Sequence, residues 1–137
     1  MLLSSLLYPL LDSFLLESLY FEGESMIDFD MYQNGARETA IYPGRGELIG
    51  LLYTSIGLGG ESGELLNKIK KILRDSNGSV NEETKVALSA EIGDSLWYLA
   101  MLCDELGLRF AQVANDNLVK LRNRKFLGKI SGSGDDR

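Results

Sequence analysis

Gly60-Glu61-Ser62-Gly63-Glu64-Leu65 and, downstream, Ala90-Glu91-Ile92-Gly93-Asp94 decide how this chain reads. Each stretch carries two acids three residues apart, and on an α-helix that spacing puts both on one face. Two such helices side by side would bring four carboxylates together, an arrangement that repels itself unless something positive lies between them. The chain has no histidine and a single cysteine, Cys103. That excludes a Ser-His-Asp triad, a Glu-x-x-His di-iron site and the usual zinc ligand sets. A metal here must be held by oxygen, which points to Mg²⁺, Mn²⁺ or Ca²⁺. The competing structural explanation is that the acids are solvated or pair with Lys68, Lys71 or Lys85, as exposed acids commonly do.

The surroundings of the first pair predict a helix from Gly46 or Glu47 to about Arg74. Leu48, Leu51, Leu52, Ser55, Ile56, Leu65, Leu66, Ile69, Ile72 and Leu73 supply its apolar face. At about 100° per residue, Glu61, Glu64, Lys68, Lys71 and Asp75 share a stripe that begins acidic and turns basic. Gly57, Gly59, Gly60 and Gly63 cost a helix about 1 kcal/mol each relative to alanine. They read as close helix packing, as space for a ligand beside the acids, or as both.

Asp75-Ser76-Asn77-Gly78-Ser79 has the composition of a turn. Ser79-Val80-Asn81-Glu82 has capping-box form and opens a helix that runs to about Leu106, with Gly107 to end it. Val86, Leu88, Ile92, Leu96, Trp97, Leu99, Ala100 and Leu106 leave this helix little polar arc. It is therefore expected to be buried, with Glu91 and Asp94 as carboxylates inside a core. A further helix follows from Phe110 to about Arg124, on which Asn117, Lys120 and Arg124 share a stripe with Val113 and Leu121. Upstream, Met26 to Gln33 begins a helix with Asp28 as its candidate N-cap, and this helix must stop before Pro43-Gly44. No period-2 alternation appears anywhere, so the fold class is an all-α bundle of about four helices.

A length of 137 residues favours one domain, and 45% hydrophobic residues suffice for a core. A net charge of −6 argues against polymeric nucleic acid as a partner. Residues 1–25 are Leu-rich, yet no Lys or Arg precedes Arg37, and Asp12 and Glu17 break the apolar run. This is neither a signal peptide nor a bilayer span. It reads as an N-terminal extension, a leader or an added helix, before a domain over 26–137. The tail from Gly128 is Gly/Ser-rich and loop-like. One cysteine points to a reducing cytoplasm, with no membrane partner.

Taken together, Gly60-Glu61-Ser62-Gly63-Glu64-Leu65 and Ala90-Glu91-Ile92-Gly93-Asp94-Ser95-Leu96-Trp97-Tyr98-Leu99 resemble the MazG-type nucleoside triphosphate pyrophosphohydrolases of the all-α NTP pyrophosphatase superfamily. That family carries Glu-Glu-x-x-Glu, a spacer, then Glu-x-x-Asp. Gly60 stands where the family has its first Glu, while the other four acids are in place. The resemblance covers about residues 26–137. It implies that Glu61, Glu64, Glu91 and Asp94 form the catalytic set and hold Mg²⁺, with Mn²⁺ as a substitute. Nucleoside triphosphates, dNTPs included, would be cut at the α-phosphate to a monophosphate and pyrophosphate. Lys68, Lys71, Asn117, Lys120 and Arg124 would meet the phosphates, and Trp97 would lie against the base or pack in the core. Subunits would pair as a homodimer or homotetramer. Two rival readings are a phosphoribosyl-ATP pyrophosphohydrolase, which shares the fold and metal logic, and a helical interaction module without activity.

Overall fold

The computed structural model describes residues 27–131, so the expectations for residues 1–25 and for 132–137 lie outside it. Four helices form, α1 (Phe29–Glu38), α2 (Leu48–Ser76), α3 (Glu82–Glu105) and α4 (Phe110–Phe126), with no strand among the described residues. Asp28 caps α1 as expected, its carboxylate accepting the Met31 N–H at 2.7 Å. The cap of α3 is Asn81 rather than Ser79. Its side-chain oxygen accepts from the Thr84 N–H at 2.8 Å and from the Thr84 hydroxyl at 2.6 Å. The shift follows from α2, which continues through Asp75 and Ser76 and leaves Asn77, at φ 50°, to start the turn. Helix α3 ends before Gly107, and α4 runs two residues beyond Arg124.

Helices α2 and α3 form an antiparallel hairpin, with Gly50 against Glu105, Gly57 against Tyr98 and Lys68 against Ala87. Two glycines make the close approach possible. A β-carbon at Gly57 would lie 2.1 Å from Cε1 of Tyr98, and one at Gly50 would lie 2.6 Å from Oε2 of Glu105. The seam is therefore built from small and polar residues. Gly50 and Thr54 are its fully buried positions on α2. Most of the apolar face expected to fill the core instead lies exposed: Leu48, Leu52, Ile56, Leu66, Ile69 and Leu73. Helix α3 is likewise less enclosed than its apolarity predicts, since Val86, Ile92, Leu99 and Leu106 are exposed. Within the described chain it packs mainly on α2 and α1, with a smaller contact to α4, and much of its apolar surface is left uncovered.

The core sits at the other end of α3, where Ala36, Ala40, Tyr42, Ala100, Met101, Cys103 and Phe110 cluster. Gln33 ties α1 into it. Its amide donates to the carbonyls of Ala100 at 3.4 Å and Leu108 at 3.0 Å, and its oxygen accepts the Phe110 N–H at 3.0 Å. The connection from α1 to α2 is held by Asp104, which pairs with Arg37 at 2.5 Å and Arg45 at 3.4 Å. Glu105 accepts the Tyr42 hydroxyl at 2.5 Å and the Gly46 N–H at 2.8 Å. Helix α4 touches α1 and α3 but not α2.

Gly57→Ala must displace the Tyr98 ring, so urea denaturation should show a net loss of about 1–2 kcal/mol even after the gain in helix propensity. Gly59→Ala meets nothing within 4 Å and should gain up to about 1 kcal/mol. Equal effects at the two positions would contradict the packing of Tyr98 on Gly57.

Candidate metal centre

Four-residue spacing aligns Tyr53, Gly57 and Glu61 along the edge of α2 that faces α3. Seating Tyr98 on Gly57 sets the register of the hairpin, and one to two turns further along the two helices the acids meet. Carboxylate oxygens of Glu61, Glu64 and Glu91 lie within 4.8 Å of one another. Glu91 is buried at 7% exposure, Glu61 is half-buried and Glu64 is exposed.

Asp94 departs from expectation, because it is exposed rather than enclosed in a core. It stands one turn along α3, at the rim of the cluster rather than inside it. Its charge still reaches the others. The Glu61 carboxyl is pushed above the usual carboxylate range, first by burial and then by the charges of Asp94, Glu64 and Glu91. Glu61 thus feels the charge of all three other acids. An all-oxygen donor set this crowded fits a hard divalent cation of the Mg²⁺ type.

Lys68 already supplies one positive charge. Its Nζ lies 2.8 Å from Oε1 of Glu91 and donates to the Ala87 carbonyl at 3.3 Å. The simple ion pair weighed against a metal site is therefore present for one of the four acids. Lys68 and Lys71 also line a cleft of roughly 340 Å³ between the C-terminal half of α2 and the first turns of α3, opposite Asn81, Glu83 and Thr84.

Phenols surround the acids. The Tyr98 hydroxyl is raised by burial and then by Tyr53 and Glu61, and that of Tyr32 by burial and Asp94. Tyr53 was not among the residues expected here, although its four-residue spacing to Gly57 and Glu61 is a legible signal. Trp97 leaves α3 on the α1 side, where its indole N–H donates to the Thr39 hydroxyl at 2.8 Å. It makes edge contacts with the rings of Tyr42 and Tyr98. It packs against the core cluster, and it also lines an apolar cavity of roughly 350 Å³ with Ile27, Met31, Tyr32 and Thr39.

Asn117, Lys120 and Arg124 are not brought to the carboxylates within one chain, because α4 makes no contact with α2. Asn117 and Lys120 are exposed, whereas Arg124 is buried and engaged in interactions of its own.

The family model of the MazG nucleotide pyrophosphohydrolase domain matches residues 53–126, the stretch that carries all four acids and the hairpin between them. The chain is also 49% identical over 111 residues to the Gene 37 protein of Mycobacterium phage L5, a match covering 79% of this chain and 97% of that protein. No solved structure matches it. The acid pairs, the hairpin that joins them and the extent of the family match together make this chain a member of the MazG nucleotide pyrophosphohydrolase domain family.

Proposed function

We propose that the chain hydrolyses nucleoside triphosphates, deoxynucleotides included, between the α- and β-phosphates, releasing a monophosphate and pyrophosphate. The observation that carries this is the convergence of Glu61, Glu64 and Glu91 from two helices in a chain of this family. With Asp94 at the rim, these acids are the set that would hold Mg²⁺ or Mn²⁺. Bound there, the cation would neutralise phosphate charge and acidify a coordinated water. In a chain without histidine the proton must pass to a carboxylate or to solvent. The carboxylates nearest the cation are the side chains placed to take it. Lys68 and Lys71 line the adjoining cleft and would hold the outer phosphates there. The cavity beside Trp97 is lined by Tyr32, whose hydroxyl feels the charge of Asp94, and has room for a base.

The same proposal includes association, as a homodimer or a dimer of two such pairs. Helix α3 is apolar enough to cross a bilayer by length and composition, yet only 22% of its most apolar window is buried in the single chain. Together with the exposed ridge of α2, this supports a second subunit packed along the hairpin. A β-carbon at Gly59, Gly60 or Gly63 would meet nothing within 4 Å, so that approach is open. Asn117 and Lys120 would then serve the phosphates of the neighbouring subunit. Light scattering on the eluted protein should give a dimer or tetramer mass, and Ile56→Asp should reduce it.

Pyrophosphate release from a panel of NTPs and dNTPs tests the activity directly. Excess chelator should abolish release, and Mg²⁺ or Mn²⁺ should restore it. Turnover that persists without metal would rule out the carboxylate site.

Glu91→Gln and Asp94→Asn should each lower turnover by more than about a hundredfold, the upper end for losing even an indirect support of a metal ligand. Melting of the metal-free protein gives the companion measurement. The Glu61 carboxyl is raised in the folded state, so its contribution to stability is present at acid pH and is lost as pH rises through the raised value. As pH rises past the ordinary carboxylate range the wild type should lose more stability than Glu61→Gln does. Parallel pH profiles for the two proteins would contradict the crowding at Glu61.

A further inference from the structure

Lys68 stands where the carboxylate cluster and the cleft between α2 and α3 meet. Its ammonium lies 2.8 Å from Oε1 of Glu91, the most buried of the clustered acids. Lys68 also lines the cleft that Lys71 shares. Glu91 shares a space of 4.8 Å with oxygens of Glu61 and Glu64. A divalent cation taken up by these three acids would come within a few ångströms of the Lys68 ammonium. Two like charges on one carboxylate repel strongly where water is scarce. The side chain of Lys68 is 36% exposed, and its flexible four-carbon stem can turn away without disturbing the hairpin.

We propose that Lys68 is a counter-ion with two positions. Without metal it neutralises Glu91 and keeps the acid cluster together. On entry of a divalent cation it is expelled into the adjoining cleft, where beside Lys71 it binds phosphate oxygens. Metal and phosphate then assist each other's binding, because the displacement that costs metal affinity delivers a charge to the phosphate site. Lys68 is in this sense a positioning residue that links the two events. The proposal rests on the carboxylate metal site described above.

The experiment compares the full chain with Lys68→Met and Lys68→Arg by calorimetric titration, first with Mn²⁺ alone and then with pyrophosphate at saturating Mn²⁺. Lys68→Met should bind Mn²⁺ roughly three- to tenfold more tightly than wild type, the range expected for removing one partly exposed competing charge. It should bind pyrophosphate more weakly and melt at a lower temperature in chelator. Lys68→Arg, which keeps the charge, should resemble wild type on Mn²⁺. Lys68→Gln repeats the comparison if the methionine variant does not fold. Equal or weaker Mn²⁺ binding by the folded neutral variant overturns the displacement and leaves the metal site standing. Tighter Mn²⁺ binding with unchanged pyrophosphate affinity overturns the second position. No Mn²⁺ binding by wild type overturns the metal site and this inference together.

Discussion

A tyrosine ring occupies the place where a β-carbon would be, and the geometry of the protein depends on it. Tyr98 lies on Gly57, so α2 and α3 run closer than any larger residue would allow. Gly57 is one turn before Glu61, and Tyr98 is one turn after Asp94. This single contact therefore fixes the register in which the two acid pairs face each other. A slip of one turn would carry Glu61 about 5 Å along the axis from Glu91 and dissolve the cluster. The repulsion among the acids acts against the hairpin that assembles them. Lys68, held between Glu91 and the Ala87 carbonyl, offsets part of that repulsion within the chain.

Helix positions were largely legible because their ends are set by local chemistry. Asp28 offers an oxygen to an otherwise unpaired N–H, and Gly107 follows the end of α3, whereas α1 stops at Glu38, well before Pro43-Gly44. The α3 cap was less legible. Ser79 and Asn81 are both good caps, and the choice fell to Asn81 because α2 continues through Ser76. Burial was the least legible property. A helical wheel identifies the apolar stripe of α2 but not what covers it. Inside one chain the seam runs along Gly50, Thr54 and Gly57, and the leucine and isoleucine ridge faces outward.

Much of the site could be read from spacing, since residues three apart must share a helix face. Spacing could not separate Glu91 from Asp94. Three residues still leave about 60° between side chains, enough to put Glu91 in the seam and Asp94 at its rim. Lys68 was legible as a cation near the acids, but its attachment to Glu91 depends on the register of α3, which no wheel contains. For Asn117, Lys120 and Arg124 the stripe was legible and the destination was not. The short turn at Gly107 sends α4 past α1 and away from α2.

Gln33 has a consequence in time as well as in space. The hairpin joins neighbouring segments across a short turn, so its closure costs little chain entropy. The Gln33 amide, by contrast, bonds partners 67 to 77 residues away. Contacts that distant form late unless local structure has already brought them together. Folding should therefore run from the acid-bearing hairpin outward, with α1 docking once the α3–α4 turn presents the Ala100 and Leu108 carbonyls and the Phe110 N–H. During synthesis the ribosome releases α1 first, and that helix must wait for more than seventy further residues before the last partner of Gln33 emerges.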